Sequence, residues 1–328
     1  MRRTASPFSL VLLGLGTFLL VLAPLLAWYV HPRAAVNPID IDTTAVYTGR
    51  GSVFDLERVE TVPDRNITIT QRVRGDVEDS ERSGNAVWDV TTSVDTDASL
   101  PAADPHDALA FTPHRWVLDR RTTEPVHCCE ETRRIEGEAY LKFPFDVRKR
   151  SYQWWDNTLG DTVVLRYRGT AKVQGHTGYR FTGSVPPTKN GTRLVPGSLV
   201  GRPDRPQVLA EEWYANHGVE LVVDQRTGRV VYARTGPRQT LRAPGGTKDA
   251  AVLLDAERIA FTTETQREAV RQAKADSTRL RLVGETLPAG AGAAGALLAV
   301  IGGVLVARGR KTPEGTDTSG TPRPALTK

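Results

Sequence analysis

The chain has 328 residues, with 43 Lys plus Arg against 38 Asp plus Glu and a formal net charge of +5. That charge is confined to the ends: residues 1–30 and 286–328 hold seven basic and two acidic residues, which leaves 36 of each in the body between them. A neutral body has no net pull on phosphate, which argues against nucleic acid as a partner. The only two cysteines, Cys128 and Cys129, are neighbours, so a framework of loop-closing disulfides is excluded as the source of stability.

In chain order, the first element is an uncharged apolar run from Phe8 to Val30. At 1.5 Å per residue it is long enough to cross a hydrocarbon core of about 30 Å. A cleaved signal peptide is the alternative, with cleavage near Ala27 or Ala35, although the run exceeds the roughly 7–15 residues of an ordinary signal core. The body follows over 31–286. Its apolar residues alternate with polar ones in several runs. Ile67, Ile69 and Val73 share a face in Asn66–Arg74; Ala86, Trp88, Val90 and Val94 share one in the next run; Val163, Leu165 and Tyr167 oppose Arg166 and Arg168. Ala171 and Val173 then lead to a turn at Gly175-His176-Thr177-Gly178, after which Tyr179 and Phe181 resume the apolar face. Period-two alternation with one wet face predicts antiparallel strands. The fold class expected is α+β, sheet-rich and mostly antiparallel, in an extracytoplasmic domain between two transmembrane helices. The βαβ rhythm and the Gly-rich phosphate loop of nucleotide-binding folds are both missing.

Trp116–Thr123 and Leu221–Gly228 resemble each other, each a strand followed by Asp-x-Arg-Thr. Two readings stand: a duplicated half, or two hairpins that share turn chemistry. Near the end of the body, Thr265-Gln266-Arg267-Glu268 has the capping-box pattern, and a charged helix is expected to continue to about Arg281. Its thin apolar face, Val270, Ala273 and Leu280, suits either a packed helix or a solvated stalk.

A second uncharged run, Leu287 to Ala307, is rich in Gly and Ala. Its small residues suit close helix packing, although Gly292 and Gly295 do not make a G-x-x-x-G. Arg2 and Arg3 precede the first span; Arg308, Arg310 and Lys311 follow the second. Positive flanks mark the cytoplasmic side, so a two-pass protein of the plasma membrane is expected, with both termini inside and the body outside. The expected divisions are 1–30 for the N-terminus and first span, 31–286 for the body, 287–307 for the second span, and 308–328 for a disordered cytoplasmic tail rich in Thr, Pro and Gly.

Motifs for catalysis are missing: no G-x-S-x-G, H-E-x-x-H, P-loop or C-x-x-C occurs. No cofactor or metal is expected, because His114, His127, Cys128 and Cys129 fit no ligand spacing. A non-enzymatic protein that binds a lipid or lipid-linked glycan is favoured; a structural or partner-docking membrane protein and an enzyme with an unrecognised site are the alternatives. Its densest unusual segment is Tyr140 to Asp156, where Phe143, Phe145, Tyr152, Trp154 and Trp155 surround a basic knot, Arg148-Lys149-Arg150. Rings beside cations suit a lipid headgroup boundary, with the cations on phosphate. These eight residues are the candidate ligand-binding set; the plainer reading is a core strand pair with a solvated basic turn.

Lys142-Phe143-Pro144-Phe145 followed by Lys149–Asp156 resembles the signature of an actinobacterial envelope family known as DUF3068, some of whose members carry the label "PorA family". Val173–Phe181 and Val223–Gly228 are similar as well, as is the arrangement of two spans. The resemblance implies a sheet-rich extracytoplasmic domain with a role in envelope lipid or lipoglycan metabolism, and it carries no catalytic residues. The partners expected are membrane lipids, with a lipid-linked glycan or an envelope enzyme beside them. A porin is not expected, since a charged body between two helices fits neither a strand barrel nor a short helical oligomer.

Overall fold

The computed structural model describes residues 7–55, 57–97, 99 and 108–310. Arg2, Arg3, Lys311 and the tail expected to be disordered lie outside them. In chain order the elements are α1 (Pro7–Leu25), a π-helical turn and α2 (His31–Ala34); then β1 (Asp42–Asp55), β2 (Glu60–Gly75), α3 (Val77–Ser83), β3 (Ala86–Thr96) and β4 (Ala110–Leu118). After an irregular stretch come β5 (Tyr152–Asp156), β6 (Asp161–Val173), β7 (His176–Pro196), β8 (Gln207–Val223), β9 (Val230–Thr235), β10 (Pro237–Arg242) and β11 (Asp249–Phe261). α4 (Thr263–Arg281), a second π-helical turn and α5 (Leu287–Arg310) complete the described chain. Contacts divide it into two units, Met1–Ala34 with Arg281–Lys328, and Ala35–Leu280.

Among the described residues, Ala35–Leu280 is built on one 11-stranded antiparallel sheet in the order β4-β3-β2-β1-β11-β10-β8-β7-β6-β5, with β9 bridging β11 and β8. The sheet-rich antiparallel expectation holds. Alternation is the cause: Ile67, Val73, Ala86, Trp88, Val90, Val163 and Leu165 are all buried where the pattern put them. One side of the β5–β8 region packs Leu165, Phe181, Tyr214 and Leu221 around Phe143 and Tyr152. On the other side Val173, Val222 and Val231 receive Val270 and Ala273 of α4. The helix is therefore packed along its thin apolar face.

Two local expectations are corrected. The β6–β7 turn is Gln174-Gly175, with Val173 paired to His176. Both turn residues have positive φ, 46° and 77°, which the tight two-residue hairpin turn requires; His176 and Thr177 belong to β7. The cap of α4 is Thr262, whose Oγ1 accepts from the Thr265 amide. Thr265 instead exchanges hydrogen bonds with the backbone of Val46 on β1, a tertiary role that a capping pattern does not reveal.

In the other unit, α1 and α5 pack closely. A side chain at Gly295 would come within 2.9 Å of the Gly16 carbonyl, and one at Gly302 within 2.7 Å of the Leu13 amide. The small-residue face is thus Gly295, Ala299 and Gly302, at helical spacing, and it is used within the chain. Both helices are long and apolar enough to cross a membrane. Only 6% and 11% of their most apolar windows are buried, unlike the core helices of a soluble domain.

Candidate functional site

Between β4 and β5 the chain runs from Asp119 to Ser151 with only isolated bridges. Of the eight non-glycine residues with positive φ among the described residues, five lie here: Thr123, Cys129, Glu130, Leu141 and Asp146. Such a backbone is held by tertiary contacts rather than local propensity. Its anchor is the turn after β8. The amides of Phe143, Asp146 and Val147 donate to the carbonyls of Gly228 (2.8 Å), Arg226 (3.0 Å) and Gln225 (2.7 Å).

The turn itself is organised by Asp224, a buried carboxylate. One of its oxygens accepts from the amides of Arg226 (3.2 Å) and Thr227 (2.8 Å) and from the Thr227 hydroxyl (2.7 Å). The other lies 2.9 Å from His176 Nε2. Gly228 has φ 72°, and a Cβ there would collide with the Phe143 carbonyl. The turn Asp119–Thr123 is built alike: Asp119 Oδ1 accepts from the amides of Arg121 and Thr122, and Thr123 has φ 68°. The internal likeness is thus accounted for by turn chemistry. Asn37 joins this second turn to the anchored segment. Its amide donates to Thr123 Oγ1 (3.2 Å), and Lys142 Nζ donates to its Oδ1 (2.7 Å). Lys142 also lies 3.6 Å from the centre of the Phe145 ring.

The eight candidate residues divide into two groups. Phe143 (0% exposed), Tyr152 (3%) and Trp155 (4%) are core residues, while Phe145 and Trp154 are half-buried. Arg148, Lys149 and Arg150 are exposed at consecutive positions. The core members fix the exposed ones: Tyr152 Oη accepts from the Arg148 amide at 2.8 Å, and the Arg150 guanidinium lies 4.0 Å over the Tyr152 ring. Arg150 also pairs with Glu138 at 2.6 Å and is the main reason that the Glu138 carboxyl is held below its ordinary value. Arg148 and Lys149 have no carboxylate partner among the described residues. Tyr140 to Ser151 is not a strand; Phe143, Tyr152 and Trp155 lie in the core, Phe145 and Trp154 are only half-buried, and the basic residues sit on an irregular, pinned turn.

Residues outside the candidate set also stand out. Asp156, at the end of β5, accepts from Tyr214 Oη at 2.9 Å, and burial pushes its carboxyl up against the amides of Leu159 and Thr158. His114 meets Asn157 (2.7 Å) and Thr132 (3.4 Å), and His127 meets Glu131 (3.1 Å). Cys128 and Cys129 are bonded to each other as a vicinal disulfide, half-buried. Asp224 and Lys142 lie within sequence motifs, so the Asp-x-Arg-Thr likeness is a usable signal for the first. Asn37, with no surrounding pattern, offered none.

A search of curated proteins finds no match for the chain. A family model described as "Porin PorA" matches residues 8–304, which takes in most of both apolar helices, the whole sheet and the three motifs that meet at the Asp224 turn, and the chain therefore belongs to the PorA family.

Proposed function

We propose that this is a two-pass protein of the cell envelope whose sheet domain, outside the plasma membrane, holds an anionic lipid or lipid-linked glycan at the Arg148–Arg150 turn and supports its transfer or elongation without catalysing it. The observation that carries the reading is the build of that turn. Three consecutive exposed cations stand on a backbone pinned at one end to the Asp224 turn and at the other to buried Tyr152. A cation presented on a rigid scaffold loses less entropy when it meets a phosphate than one on a free loop. Half-buried Phe145 and Trp154 add apolar surface beside it.

The test uses the full chain in nanodiscs of zwitterionic lipid, titrated with short-chain phosphatidylglycerol. Each charge-assisted hydrogen bond contributes about 1.5–3 kcal/mol. Replacing Arg148, Lys149 and Arg150 together by Ser is therefore expected to weaken binding more than tenfold at unchanged thermal midpoint. Unchanged affinity and midpoint would leave these residues a solvated turn. The family description favours a second reading, a pore. The end strands β4 and β5 do not pair with each other among the described residues, so no closed barrel is formed by those residues within one copy. Single-channel conductance from the reconstituted chain would favour a pore over lipid holding.

A further inference from the structure

The outer face of β6–β9, opposite the face that holds Phe143, carries a feature that the Arg148–Arg150 turn does not use. An open groove of about 590 Å³ is lined there by Arg166, Arg168, Thr182, Ser184, Thr188 and Arg234, with Asp161 and His217 also lining it. The register explains the grouping. Arg166 pairs with Thr182, Thr182 with Glu220, and Glu220 with Arg234, a single row across four strands. At about 4.8 Å per strand the row spans about 14 Å. Arg168 and Arg180 lie one step along, and Arg180 sits opposite Val222, which α4 covers.

The charges in this row do not balance. Glu220 faces both Arg234 (3.1 Å) and Arg180 (3.8 Å). Arg166 and Arg168 are exposed and have no acidic partner among the described residues. His217 is engaged with Asp255 at 3.3 Å. The Nε atoms of Arg180 and Arg234 are buried and make no hydrogen bond among the described residues. Buried guanidinium donors without an acceptor are uncommon, and planar forks of N–H groups match the oxygens of phosphate. The hydroxyls of Thr182 and Ser184 supply further donors, whereas that of Thr188 donates to the Pro186 carbonyl at 2.8 Å.

We propose that this groove is a second anion site, which takes a phosphate or diphosphate group borne on a larger molecule. Arg166 and Arg168 clamp the phosphoryl oxygens, and Arg234 approaches from the far end of the row. The open shape suits a group carried on a larger body better than an enclosed small ligand.

The probe is pyrophosphate, titrated calorimetrically into the full chain in zwitterionic nanodiscs. Saturable one-to-one binding is expected, weakening as salt is raised. Replacing Arg166 and Arg168 together by Ser is expected to reduce affinity at least tenfold. Replacing Arg148, Lys149 and Arg150 by Ser is expected to leave it within twofold, so this site and the headgroup turn stand or fall separately. If the Arg166 and Arg168 replacement lowers the thermal midpoint, Arg166→Gln alone takes its place. No saturable binding, or an affinity within twofold of the unaltered chain in the folded variant, overturns the site. Competition by short-chain phosphatidylglycerol assigns the phosphate to a lipid headgroup; its absence assigns it to a water-soluble phosphate-bearing ligand.

Discussion

At the scale of single residues, Lys142 shows what the sheet core demands of one side chain. It lies in the Lys-Phe-Pro-Phe segment, and although part of the residue reaches the surface, its nitrogen sits between Asn37 and the Phe145 ring. Burial, helped by the Arg229 charge and opposed by Asp276 and Asp224, pushes its ammonium from 10.5 down to about 7. The unfolded chain keeps that proton up to about pH 10.5, whereas the folded chain releases it near pH 7. Between those values the unfolded state binds more protons, so stability rises with pH by up to about 1.4 kcal/mol per unit. Below pH 7 both states hold the proton and this contribution is flat. Lys142→Met is expected to raise the thermal midpoint at pH 6 relative to the unaltered chain, with the difference shrinking as pH climbs to 9. Parallel midpoint curves for the two proteins would show that the nitrogen is solvated. The sequence marks Lys142 only as part of a motif; that its nitrogen is enclosed depends on Asn37, which is far away along the chain.

At the scale of elements, legibility follows periodicity. The strands around Ile67, Trp88 and Leu165 are written in alternation, and α4 in its Val270, Ala273 and Leu280 spacing. The stretch from Asp119 to Ser151 is not, because its positive-φ residues include Cys129, Glu130 and Leu141, which no turn rule would place there. Its shape comes from hydrogen bonds to the Asp224 turn, roughly 80 residues away in sequence. A disulfide stabilises chiefly by shortening the loops open to the unfolded chain, and a bond between residues one apart in sequence closes none. Replacing Cys128 and Cys129 together by Ser is therefore expected to move the thermal midpoint by no more than about 3 °C. A fall of ten degrees or more would mean that the ring itself holds the Asp119–Ser151 stretch in place. The close packing of α1 on α5 was half legible: the glycines are visible in the sequence, but their partner face appears only when Gly16 is set against Gly295 and Ala299.

At the scale of the whole molecule, charge distribution carries the argument about orientation. All of the net charge belongs to the two end regions, and the body is neutral. Of the flanking cations, Arg308 is exposed at the end of α5, whereas Arg2, Arg3 and Lys311 lie outside the described residues. Lys and Arg beside a span resist translocation, so basic residues outside both spans favour a chain with both ends in the cytoplasm and the sheet domain on the far side. Both proposed anion sites, the Arg148–Arg150 turn and the β6–β9 groove, would then face the envelope. Alkaline phosphatase fused after Gly201 is expected to be active, and fused after Lys328 inactive, since the enzyme folds only outside the cytoplasm. The reverse pattern would invert the topology and remove the envelope from the functional reading. Activity at both positions would mean that the second apolar helix does not cross. The mass of the purified chain separates the remaining case: loss of residues up to Ala27 or Ala35 would turn the first span into a signal peptide, leaving α5 without the α1 partner against which Gly295 and Gly302 pack.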